Sequence, residues 1–137
     1  MSERLGTPGL YVIGAWHASG VGWLVSDARV LASVEVAPDR RSRRRGLLGR
    51  DTLDGAFVIT GCRWVHTIGM RFPLDVAYLD DDGVVVKIVR MGRHRVGVPV
   101  SEATWVVEAA AGAFERWQLA VGDVVELREH ADEAAGP

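Results

Sequence analysis

Leu74-Asp75-Val76-Ala77-Tyr78-Leu79-Asp80-Asp81-Asp82-Gly83-Val84-Val85-Val86-Lys87-Ile88-Val89-Arg90 is the stretch whose reading decides the fold. Two short apolar runs, rich in β-branched and aromatic side chains, flank a polar tetrad ending in Asp-Gly. That dipeptide between apolar runs is a strong hairpin signal. Residues 74–79 and 84–90 therefore read as paired strands. The acidic tetrad also hints at calcium, but an EF-hand spacing needs an acid where Tyr78 stands and a glutamate where Val89 stands. It is a turn.

The same pattern continues outward in both directions. Residues 23–25 and 30–36 flank Ser26-Asp27-Ala28-Arg29 as a second hairpin. Residues 56–62 form a run opened by Asp54-Gly55, and 105–110 and 124–128 complete the set, with a further candidate strand at 11–16. Two segments break the β pattern. Residues 38–48 begin on Pro38 and stop before Gly49, as a helix does, and 113–119 offer Phe114, Trp117 and Leu119 for burial. Short strands with one or two short helices predict a mainly β fold, a compact antiparallel β-sandwich or barrel.

The chain has 137 residues, enough for one domain, with a core expected over 22–128 and loosely held ends at 1–9 and 129–137. Its net charge of −2 argues against a wholesale electrostatic partnership with nucleic acid or anionic lipid. Cys62 is the only cysteine, which excludes an intrachain disulfide and suits a reducing compartment. Neither a membrane-spanning run nor a secretory signal is legible, so the expected location is cytoplasmic.

Residues 64–75, Trp64-Val65-His66-Thr67-Ile68-Gly69-Met70-Arg71-Phe72-Pro73-Leu74-Asp75, crowd polar and aromatic groups into a span that Gly69 and Pro73 keep irregular. Such segments anchored to a strand often carry sites. Trp64, His66, Thr67, Met70, Arg71 and Asp75 are the candidate ligand-binding residues.

Four pieces of the sequence form a wider pattern. They are Arg45-Gly46-Leu47-Leu48-Gly49-Arg50, the run from His66 to Asp75, Val106-Val107-Glu108-Ala109-Ala110-Ala111-Gly112, and Val121-Gly122-Asp123. In this order, across residues 23–127, they resemble the uncharacterised bacterial and archaeal family known as domain of unknown function 192. The resemblance implies a compact antiparallel β-structure with short helices and brings no established catalytic residues. Many relatives carry Met-x-x-Thr where this chain has His66-Thr67 ahead of Met70. Some relatives also carry export signals.

Three chemical readings follow. In the first, the chain is a non-catalytic domain that binds a small molecule or protein partner through residues 64–75, its cofactor, if any, unidentified. In the second, His66, Asp75 and Glu108 support a metal-assisted hydrolase or lyase, since imidazole and carboxylates can share acid, base or metal-ligand roles, although their spacing matches no metal signature. The structural account of the same trio is a histidine bonded to loop backbone, Asp75 capping a turn and Glu108 paired with an arginine. In the third, the arginines at 40–50, with Arg44, Arg45 and Arg50 foremost, grip an anion or nucleic acid. Nucleic acid is disfavoured because no aromatics are interleaved with them. Cys62 beside His66 can be read as a nucleophile and base, or as a small buried hydrophobe. Met70, Trp64, Trp105 and Trp117 can line a pocket or simply fill a core.

Overall fold

Short runs rich in β-branched and aromatic side chains form seven strands in the computed structural model, which describes residues 21–37 and 47–129. They are β1 (Val21–Ser26), β2 (Arg29–Val36), β3 (Ala56–Thr60), β4 (Leu74–Leu79), β5 (Val85–Met91), β6 (Trp105–Ala110) and β7 (Val125–Glu129). One helix is present among the described residues, α1 (Ala113–Trp117), between β6 and β7. The strands form a single curled sheet in the order β5-β4-β6-β3-β2-β1-β7. The mainly β expectation is met by this curled half-barrel. The candidate strand at 11–16 and nearly all of the expected 38–48 helix lie outside the described residues.

Both sequence hairpins form. Between β1 and β2 the two-residue turn places Asp27 and Ala28 at φ 55° and 62°, the mirror-image geometry that matches strand twist. Between β4 and β5 the Asp80 carboxylate accepts the amides of Asp82 and Val84, at 2.9 and 3.0 Å. Gly83 takes φ 83°, and a Cβ there would stand 2.6 Å from the Val125 carbonyl oxygen. Glycine is required at that point.

Pairing is antiparallel except between β2 and β3, which run parallel. A parallel pair needs a crossover of a dozen or more residues, and the long connection between Val36 and Ala56 provides one. The sheet's two edges approach each other at one end. Val84 bridges Val124, and backbone bonds link Val85 to Asp123 and Gly122, and Val125 to Gly83.

Each strand alternates between two faces, so the sheet has two cores. The concave core draws on every strand, including Leu24, Val34, Val58, Leu79, Val107 and Leu127, with Phe114 of α1 packed into it. The convex core covers β3 to β6 with loop residues, among them Leu47, Leu53, Val65, Met70 and Val100 packed on Phe57, Val76, Tyr78 and Val106. Full burial of such aliphatic and aromatic side chains stabilises the fold by roughly 1.5–3 kcal/mol each before entropy is counted.

Candidate functional site

Thr67 organises the irregular segment before β4. It is fully buried, and its hydroxyl donates to the Gly92 carbonyl at 2.6 Å while accepting the Arg95 amide at 2.8 Å. Its backbone adds bonds to Arg95 and His94. Residues 64–70 are thereby tied to residues 92–97, and an isolated bridge pairs His66 with Val96. Arg93 Nε donates to the Met70 carbonyl at 3.2 Å, and the Gly69 amide donates to His94 Nδ1 at 3.2 Å. Two irregular segments brace each other and form one rim.

The rim sorts the six candidate ligand-binding residues into two groups. Thr67, Met70 and Asp75 are buried and directed inward. Trp64, His66 and Arg71 are exposed. His66 Nδ1 accepts the Ile68 amide at 3.2 Å, and its ring lies 5.5 Å from that of Trp64, whose indole N–H donates to the Gly97 carbonyl. Arg71 meets Asp51 at 2.9 Å on the surface. Beside them Ile68, Val96 and Val98 stand 52%, 60% and 68% exposed, an unusual grouping of aliphatic surface.

Asp75 and Glu108 lie on opposite faces of the sheet. Asp75 pairs in register with Ala109 and shares the concave side with it. One carboxylate oxygen accepts Arg90 Nε at 2.9 Å, and the other accepts the amides of Gly112 and Phe114 at 2.9 and 3.2 Å. Asp75 thus caps the start of α1 and anchors Arg90, raising that guanidinium's pKa through the hydrogen bond and its charge.

Glu108 pairs in register with Phe57 and Val76, residues of the convex core. It is buried, and among the described residues no arginine forms an ion pair with it. Burial pushes its pKa up to about 7. His66, on the rim, completes a trio that the sheet keeps apart. Among the described residues no group of three or more His, Cys, Asp or Glu is placed to hold a metal ion.

The other candidates are also dispersed. Cys62 Sγ donates to the Trp64 carbonyl at 3.1 Å. Arg50 is engaged with Glu35 at 3.0 Å and lies over the Phe57 ring at 5.5 Å. Arg44 and Arg45 lie outside the described residues. Trp105 belongs to the concave core and bonds the Asp80 carbonyl, Trp117 packs against that core, Met70 is in the convex core and Trp64 is on the rim, so they line no common pocket.

Residues 92–98, Gly92-Arg93-His94-Arg95-Val96-Gly97-Val98, are the part of the rim that sequence reasoning missed. Their signal was the same as that of 64–75: glycines, basic groups and a histidine in an irregular stretch, with Pro99 following. No helix among the described residues is long and apolar enough to cross a membrane.

Comparisons with known proteins agree with this architecture. A crystal structure from Sinorhizobium meliloti, described as that of a candidate transcription regulator, aligns with a TM-score of 0.67 at 24% identity, covering 78% of this chain and 92% of that one. A protein of unknown function from Novosphingobium aromaticivorans aligns with the same TM-score at 16% identity, covering 92% of this chain and 96% of that one. At these identities the likeness is one of fold alone. No curated protein matches the sequence. The family described as "Uncharacterized ACR" matches residues 24–127, which span both hairpins, the rim and α1. On that match the chain belongs to the family known as domain of unknown function 192.

Proposed function

We propose that this chain is a non-catalytic, cytoplasmic binding domain that presents the outward half of residues 64–75 to a small molecule or protein partner. The supporting observation is the division of labour around Thr67. Its hydroxyl is spent on holding two segments together, while Trp64, His66 and Ile68 are held outward over that brace. Preorganised exposed aromatic and aliphatic groups lose little entropy on contact, which favours binding. The same side chains include no paired acid and base or nucleophile and base, so recognition accounts for them better than catalysis does.

Two-dimensional amide NMR of the labelled chain tests this, using a panel of nucleotides, short carboxylates and aromatic amides as probes. The expected result is saturable shifts at residues 64–71 and 92–98, lost in Trp64→Ala. Shifts confined to the far end of the sheet, around Val30, Val121 and Val124, would overturn the reading.

A further inference from the structure

The convex side of β5 carries a groove of about 310 Å³ next to the rim, bounded by Tyr78, Lys87, Val89, Met91, Arg95 and residues 96–98. That volume lies at the small end of ligand cavities. Strand register creates it. Lys87 pairs with Tyr78 and Val89 with Val76, so alternate β5 side chains share the face of Tyr78. Residues 92–98 then fold back alongside, held by the Gly97 amide on the Val65 carbonyl at 2.9 Å. Only glycine fits at that wall: a Cβ on Gly97 would stand 2.8 Å from the Val65 carbonyl oxygen and 3.5 Å from the Tyr78 hydroxyl.

The lining combines apolar surface with positive charge. Val89, Met91, Val96 and Val98 supply the former, Lys87 and Arg95 the latter, and no acidic residue lines the groove. Arg90 turns its guanidinium to Asp75 on the opposite face, and Lys87 and Arg95 form no ion pair among the described residues. Uncompensated cations beside a low-dielectric wall attract anions more strongly than solvated ones do. Tyr78 borders the same space, with its hydroxyl on the Gly97 side. Burial, then the charges of Cys62 and Glu108, push its pKa up to about 12, so it stays protonated and able to donate.

We propose that this groove binds a small organic anion, its head group taken by Lys87, Arg95 and the Tyr78 hydroxyl and a short apolar tail lying on Val89, Met91 and Val98. The site goes beyond the Trp64–His66 surface and does not depend on it.

The test is amide NMR titration of the full chain at neutral pH with hexanoate and hexyl phosphate, against hexanol, hexylamine and acetate. Hexanoate or hexyl phosphate should give saturable shifts at residues 87–91 and 95–98, and the tighter of the two identifies the head group. Hexanol, hexylamine and acetate should bind at least about tenfold more weakly, and so should hexanoate to the Lys87→Gln/Arg95→Gln variant, with its thermal midpoint unchanged. Equal binding of hexanol, undiminished affinity in the double variant, or no saturable shift in the millimolar range would overturn the proposal. Shifts confined to residues 64–71 would overturn it while leaving the rim reading intact.

Discussion

Glu108 sits where a charge is least welcome, under the convex core and with Tyr78 as a titratable neighbour. Its pKa is raised from 4.5 to about 7 by burial, so the folded chain holds a proton that the unfolded chain releases. Folded protein therefore binds more protons between those values, and stability falls as pH rises through that window, by on the order of 3 kcal/mol from this residue. Glu108→Gln should remove that dependence, making the variant the more stable protein above neutral pH. Urea melts on either side of the window measure it, and an unchanged slope would show that the carboxyl is solvated. Asp75 differs in its contacts, since both carboxylate oxygens accept hydrogen bonds. Asp75→Ala leaves two amides at the start of α1 and Arg90 without their partner, and should cost roughly 2–4 kcal/mol in the same melts. Sequence reading found both acids. It did not reveal that they face opposite ways, because facing depends on register across β4 and β6, which neither strand specifies alone.

Elements were legible where local chemistry dictates them. The Asp80–Gly83 and Ser26–Arg29 turns carry their own geometry, and 113–119 carried enough apolar surface to mark α1. Pairing of β2 with β3 was not legible, since it depends on where a long connection returns. The 92–98 segment escaped notice because it has no period, and its order is supplied from outside by Thr67. Thr67→Val should therefore strand the Gly92 carbonyl and the Arg95 amide, both part-buried, lowering stability by roughly 2 kcal/mol and accelerating amide exchange at 92–97 ahead of the strands. Hydrogen exchange read by mass spectrometry distinguishes that from uniform loosening. Gly83→Ala belongs to the same scale. The left-handed backbone and the Val125 carbonyl both oppose a side chain, so a loss of roughly 2 kcal/mol or more is expected in denaturant melts.

Across the whole molecule, a curled sheet with its edges joined at one end turns one face into a sealed core and leaves the other to be covered by loops. The sealed core stabilises. The covered face contains the features that need another explanation: a buried carboxyl, a cationic groove and an exposed aromatic rim. That division predicts which side chains the fold can spare. The most direct measurement is a set of thermal midpoints for His66→Ala and Arg71→Ala beside Thr67→Val and Asp75→Ala. The outward pair should stay within about 2 °C of the parent and the inward pair fall by roughly 5–10 °C. A fall at His66→Ala as deep as that at Thr67→Val would contradict the account, because the rim's outer face would then serve folding instead of recognition.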